Sequence, residues 1–132
     1  ERFPNLTGLV LNFTSIDGNE LAKLQSLKSL SHLSLTGLKL NDEDVSGLAS
    51  MKSLLSLNVS NNKLLTDRSV KSLNGSRKLL SLNVINCPGI SETATVKFQK
   101  GHPRCKVETE KSDMSLDAKE LANIVVSIIG KE

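Results

Sequence analysis

Apolar triplets with the spacing L-x-x-L-x-L return every 24 or 25 residues along the chain. The second and third members of each triplet stand two residues apart, so their side chains point to the same face of a short strand. A period of this length is the signature of a chain built from stacked units, and it predicts four strands that lie side by side. The triplets are Leu6, Leu9, Leu11; Leu30, Leu33, Leu35; Leu54, Leu57, Val59; and Leu79, Leu82, Val84.

A second apolar series follows each triplet in constant phase. In the first unit it starts at Ile16 and continues five, three and three residues later. This spacing predicts an amphipathic helix of about two turns that returns the chain to the next strand. The four predicted N-caps are Asp17, Asn41, Thr66 and Ser91. Glu20 and Asp44 stand three residues after the first two of these caps, which predicts capping boxes there.

The stretch LLSLNVSNNKL, Leu54 to Leu64, matches the motif L-x-x-L-x-L-x-x-N/C-x-L, and residues 3–108 resemble the leucine-rich repeat family. The unit length, the caps and the stretch NCPGISE are similar to the cysteine-containing subclass found in F-box-type substrate receptors. The sequence departs from that subclass because one N/C position carries cysteine, Cys87, and no F-box is present. The resemblance implies an α/β fold, a right-handed solenoid with a concave parallel sheet of about five short strands and short convex helices.

The predicted organisation is a solenoid over residues 1–108, a polar linker over 109–114 and an amphipathic C-terminal helix over 115–132. That helix either caps the open end of the leucine core or contacts another subunit, and binding to a membrane surface is disfavoured because few basic residues flank it. The stretch before Leu6 resembles the end of a preceding helix, so we expect the array to begin upstream. The repeats lie near 5–28, 29–52, 53–77 and 78–102, and a terminal strand spans 103–108.

Composition excludes several classes of function. The net charge is +3, and the chain has 23 leucines but no Trp or Tyr. Sequence-specific nucleic-acid binding is not expected, because it usually needs a stronger basic patch and stacking aromatics. No apolar stretch reaches the ~20 residues of a membrane span, so we predict no transmembrane segment. Two cysteines cannot form a disulfide framework, which favours an intracellular location, in the cytoplasm or the nucleus.

The residues that could carry chemistry have structural interpretations. The repeat frame predicts that Cys105 pairs with Leu82 across the sheet. Cys87 lies five residues beyond Leu82, and this offset exceeds the ~7 Å that a disulfide allows between Cα atoms. No His or Cys pair has metal-ligand spacing, and the acidic stretch Asn41 to Asp44 is explained by helix capping. No histidine is placed to activate a Ser or Cys nucleophile. We therefore predict no catalytic residue, metal site or cofactor.

Two surfaces are candidates for partner binding. The first is the outer sheet face, the concave side of the predicted solenoid, which is small and polar; its alternative interpretation is a plain solvated surface. If it binds, we expect it to accept a closely fitting segment through hydrogen bonds. Its predicted partner-binding residues are His32, Ser34, Thr36, Ser56, Asn58, Ser60, Ser81, Asn83 and Ile85.

The second candidate is the basic edge, formed by Lys28, Lys52, Arg77 and Lys78. Three of these cations stand two residues before the first leucine of a triplet, so we expect them to stack along one side of the array. A row of cations that lie within one Debye length of one another favours binding of an acidic partner. The alternative is that these residues complement helix dipoles and keep the array soluble.

The leading functional prediction is a non-catalytic protein–protein interaction module or a scaffold subunit of a larger complex. The alternative is the substrate-recognition part of an F-box-type ubiquitin ligase, which rests on the family resemblance. An enzyme is the least favoured class.

Overall fold

The computed structural model describes residues 5–110, in which five short strands alternate with four helices. The predicted C-terminal helix and most of the predicted linker lie outside the described residues. The elements are β1 (Gly8–Val10), α1 (Gly18–Ala22), β2 (His32–Ser34), α2 (Asp42–Leu48), β3 (Ser56–Asn58), α3 (Asp67–Ser72), β4 (Ser81–Asn83), α4 (Glu92–Gly101) and β5 (Lys106–Glu108). Short 3-10 helices, Lys23–Ser26 and Leu73–Gly75, extend α1 and α3.

The strands form one parallel sheet in which neighbours in sequence are neighbours in space. Gly8 pairs with His32, then Ser56, Ser81 and Lys106 continue the same row across the sheet. The row advances by 24, 24, 25 and 25 residues, and the first three steps equal the spacing of the leucine triplets. Each strand forms one unit with the turn and helix that follow it. The predicted α/β class with a parallel sheet is confirmed.

One apolar core lies between the sheet and the helices. The central strand leucines Leu33, Leu57 and Leu82 are at most 2% exposed, and helix residues such as Val45 and Phe98 pack in the same cluster. Burial of a side chain of this size stabilises the fold by roughly 1.5–3 kcal/mol. The leucines of the first triplet are only partly buried, because β1 is the outermost strand of the sheet.

The helix starts agree with the predictions from sequence. Asp17, Asn41, Thr66 and Ser91 are the N-cap residues, and each side chain accepts a hydrogen bond from a backbone N–H of the first turn. Both predicted capping boxes are present, at Asp17 and at Asn41. Each cap satisfies a donor that the helix itself cannot pair.

The turn after each of the first four strands contains a residue in the left-handed backbone region. Phe13, Gly37, Asn61 and Asn86 hold this position, with φ between 56° and 70°, and the second turn has a further such residue, Lys39. At Gly37 a side chain would also collide with a neighbour, since a Cβ would meet the Phe13 ring. The first two turns therefore pack against each other, with the Phe13 ring over Gly37.

Asn62 ties two consecutive turns together from a fully buried position. Its Oδ1 accepts hydrogen bonds from the backbone N–H groups of Leu38 and Leu40, both at 3.0 Å. Its Nδ2 donates to the carbonyl oxygens of Leu35 and Val59, at 3.0 and 2.8 Å. Because the amide satisfies backbone groups that the turn would otherwise leave unpaired inside the protein, it stabilises both turns.

Carboxylates also join consecutive helix starts. The Asp42 carboxylate accepts hydrogen bonds from Thr66 N at 2.8 Å, from Thr66 Oγ1 at 2.5 Å and from the Ser69 hydroxyl. Asp67 accepts from Ser91 N at 2.6 Å and from Ser91 Oγ at 2.8 Å. The N-cap residue of one helix is thus held by the first residue of the helix before it.

The predicted register of the last strand is wrong. Leu82 pairs with Val107 rather than with Cys105, which precedes β5. The sequence after α4 lacks a leucine triplet, so no regular spacing fixes the alignment there. Cys105 is nevertheless buried and Val107 packs against the core, so both side chains point inward.

Candidate partner-binding surface

The outer sheet face is formed by the strand residues that alternate with the buried leucines. The parallel register aligns six of the predicted partner-binding residues in two rows across β2, β3 and β4. All six are at least partly exposed. The first row is His32, Ser56 and Ser81, and the second is Ser34, Asn58 and Asn83.

An open groove of about 310 Å³ lies on the outer sheet face over β1, β2 and β3. His32, Ser34, Ser56 and Asn58 supply its polar lining. Val10 lines the β1 side and is 68% exposed, so it offers an apolar contact that the predicted site did not include. The signal for Val10 was present in the sequence, because it alternates with two leucines of the first triplet.

Hydrogen bonds fix the polar side chains around this groove. Asn12 Oδ1 accepts from Ser34 Oγ at 2.7 Å and from the backbone N–H of Thr36 at 2.8 Å. Asn58 Oδ1 accepts from the backbone N–H of Ser60 at 3.0 Å. A groove whose polar groups are already oriented requires less ordering when a partner binds.

Two of the predicted partner-binding residues do not face solvent. Thr36 and Ser60 are 7% and 6% exposed, and their hydroxyl oxygens lie 3.0 Å apart in a hydrogen bond. Both residues follow the last strand residue, where the chain turns and no longer alternates between the two faces. Ile85, at the corresponding position of the next unit, is half-buried.

The outer sheet face carries charge at its far side, on strand β5, which the predicted site did not include. Lys106 and Glu108 of β5 continue the two rows beside Ser81 and Asn83. Asn83 Nδ2 donates to Glu108 Oε2 at 3.0 Å, and Lys106 Nζ lies 3.9 Å from Glu108 Oε1. A partner that spans the whole sheet meets an uncharged groove at one side and a charged strand at the other.

The four residues of the basic edge are all exposed. Lys28, Lys52 and Arg77 each stand four residues before a member of the His32, Ser56, Ser81 row, so they occupy equivalent positions in consecutive units. Lys28 and Lys52 line one groove of about 190 Å³ between the first two units. Arg77 Nη1 donates to the carbonyl oxygen of Gly101 at 3.2 Å, at the end of α4.

Both cysteines are buried free thiols. Burial raises the pKa of Cys105 to about 11, and burial also raises the pKa of Cys87 above its ordinary value. The Cys87 thiol donates to the carbonyl oxygen of Val59 at 3.3 Å, so it occupies a turn position like that of Asn62. Within residues 5–110 no cluster of His, Cys, Asp and Glu could hold a metal ion.

Comparisons with known proteins identify the fold. No family model matches the chain, and no curated protein matches it in sequence. The chain is similar to a solved structure of leiomodin-1 actin-binding site 2, with a TM-score of 0.68 and 17% sequence identity. The match covers 97% of this chain and 83% of that chain. In the described part of the chain, no helix has the length and apolar character needed to cross a membrane.

Proposed function

We propose that this chain is a leucine-rich repeat solenoid that acts as a non-catalytic protein-interaction module, or as a scaffold subunit of a larger complex. The partner binds in the groove of the outer sheet face. The observation that carries this proposal is the groove itself, in which exposed Val10 stands beside oriented polar side chains. Binding grooves combine apolar contact area with a few placed polar groups in this way.

The structural comparison supports the same role. The similar solved structure is an actin-binding site, so a chain of this fold presents a protein-binding surface in leiomodin-1. Actin is therefore the first partner to test for this chain. The alternative role in an F-box-type ubiquitin ligase stays a prediction from the family resemblance.

A substitution that fills the groove tests the proposal. Ser56 is half-buried and lines the groove, and Ser56→Arg would place a long charged side chain in it. The matched control is Ser46→Arg, on the exposed side of α2. The tagged full chain and both variants would be compared by affinity purification with quantitative mass spectrometry, and by cosedimentation with filamentous actin.

We expect recovery of the specific partner to fall at least about tenfold with Ser56→Arg, since blocking the centre of an interface removes most of its binding energy. Ser46→Arg should recover the partner as the unmodified chain does. Equal recovery with Ser56→Arg and with the unmodified chain would overturn the assignment of the groove.

A further inference from the structure

Charge is divided between the two edges of the sheet. Parallel strands all start at one edge and all end at the other. The return edge comprises the stretches that lead from a helix end to the next strand, residues 23–31, 49–55, 73–80 and 102–105. It contains six Lys and Arg residues and no Asp or Glu. The cations are Lys23, Lys28, Lys52, Arg77, Lys78 and Arg104.

The turn edge comprises the stretches from a strand end to the first turn of a helix, residues 11–20, 35–44, 59–68 and 84–93. It holds seven of the nine acidic residues in the described chain, together with Lys39, Lys63 and Arg68. Acidic residues at helix starts follow from capping and from the helix dipole. The mixed charge of the turn edge thus has a structural cause.

The helix dipole does not account for Lys28 and Lys52 of the return edge. Its effect falls off within the last turn of a helix. Lys28 lies beyond the 3-10 turn that ends at Ser26, and Lys52 lies four residues after the end of α2 at Leu48. Neither α1 nor α2 has a basic residue in its last turn. These two lysines therefore stand where their charge stabilises no helix.

The cations are close enough to repel one another. Neighbouring strands lie ~4.8 Å apart, and equivalent positions on consecutive strands fall within the ~8 Å Debye length at physiological salt. Lys28 and Lys52 line the same groove, together with the polar residues Gln25, Ser50 and Ser53. An acidic ligand would relieve this repulsion and find hydrogen-bond partners in the groove.

We propose that the return edge binds an acidic, extended segment of a partner protein. The cations lie before the starts of β2 to β5, and three steps of ~4.8 Å match about four residues of extended chain at ~3.3 Å each. The return edge contains no Phe, Tyr or Trp on which nucleic-acid bases could stack. This surface is separate from the groove of the outer sheet face, so the proposal goes beyond the proposed function.

Two double charge reversals form a matched test. Lys28→Glu/Lys52→Glu alters the return edge, and Lys39→Glu/Lys63→Glu alters the turn edge. Both pairs are 24 residues apart, all four side chains are exposed, and the total charge changes equally. The probe is a fluorescein-labelled peptide of about ten residues in which Asp and Glu alternate with Ser and Leu, and binding is followed by fluorescence anisotropy with the full chain.

We expect the return-edge pair to weaken peptide binding at least about tenfold and the turn-edge pair to change it less than about twofold. Binding should also weaken as NaCl rises from about 50 mM to about 300 mM. Ser56→Arg should leave peptide binding unchanged, which separates this proposal from the groove of the outer sheet face. Circular dichroism melting curves of both pairs verify that they fold.

Three results would overturn the proposal. Equal loss in both pairs would mean that net charge alone attracts the peptide. No detectable peptide binding to the unmodified chain at low salt would remove the site. Tighter binding of a short DNA duplex, or of phosphatidylserine vesicles, with the same loss in the return-edge pair would assign the surface to a different class of partner.

Discussion

The two edges of the sheet are built in different ways. At the turn edge, side chains make many of the bonds: Asn62 joins two turns, and the carboxylates of Asp42 and Asp67 hold the next helix caps. At the return edge, backbone hydrogen bonds such as Leu55 N to Ser31 O carry the chain across, and the buried His102 Nε2 lies 3.0 Å from the carbonyl oxygen of Asn74. The side chains of Lys28 and Lys52 are exposed and take no part in these bonds, so their charges stay available to a partner.

Asn62→Leu is expected to be the most damaging change at the turn edge. Leucine stands at the equivalent position 38, but at position 62 it would leave several buried backbone groups unpaired. We expect the free energy of unfolding to fall by about 3–5 kcal/mol, measured by urea denaturation. Thr14→Ala, at the equivalent exposed position, should cost less than about 1 kcal/mol. If the two variants cost the same, Asn62 does not stabilise the turns.

Asp42→Asn tests the carboxylate link between helix starts. Asparagine loses the charge and one acceptor oxygen, so we expect a cost of about 1–3 kcal/mol. The matched variant Asp67→Asn should cost less, because Asp67 is more exposed and accepts two hydrogen bonds rather than three. Denaturant titrations of both variants measure the difference. The opposite ranking would show that burial does not strengthen this link.

The Asp42 link also has a pH dependence. Burial raises the pKa of Asp42, but the hydrogen bonds from Ser69 and Thr66 and the charge of Arg68 outweigh burial and lower the pKa below 3.8. A carboxyl with a lowered folded-state pKa stabilises the protein fully above its unfolded value and loses that effect as the pH falls through the folded value. The stability difference between the unmodified chain and Asp42→Asn should therefore shrink below about pH 4. A difference that stays constant from neutral to acidic pH would contradict this.

The smallest effect on stability is expected at the return edge. Lys28→Gln/Lys52→Gln removes two exposed charges that repel each other, so the free energy of unfolding should change by no more than about 0.5 kcal/mol. Urea denaturation at low salt measures it. A loss above about 1 kcal/mol would mean that these lysines hold the fold together, and that the contrast between the two edges is false.

Much of the fold follows from local sequence rules. The four N-caps and both capping boxes depend on residues two or three positions apart, so they can be predicted without knowledge of the rest of the molecule. The leucine period likewise sets the register of β1 to β4. Each of these features either repeats along the chain or depends on residues close together in sequence, so it can be predicted from the sequence alone.

The remaining features depend on how distant residues meet. The alternation of a strand predicts that Thr36 and Ser60 face solvent, but both lie past the strand end, where the turn buries them against each other. The charges of Lys106 and Glu108 reach the outer sheet face through a register that no leucine triplet marks. Asn62 matches the repeat motif, but its multiple bonds to two turns require the three-dimensional structure.

The carboxylate links are not present at every joint between units. Gly18 holds the position that Asp42 and Asp67 hold in later units, and a Cβ at Gly18 would lie 2.7 Å from the Asp44 carboxylate. The first joint therefore has no carboxylate link of this kind. In a stack where each unit contacts only its neighbours, a missing link acts locally. Under mechanical load or mild heating the joint between the first two described units should therefore open before the joints that Asp42 and Asp67 hold.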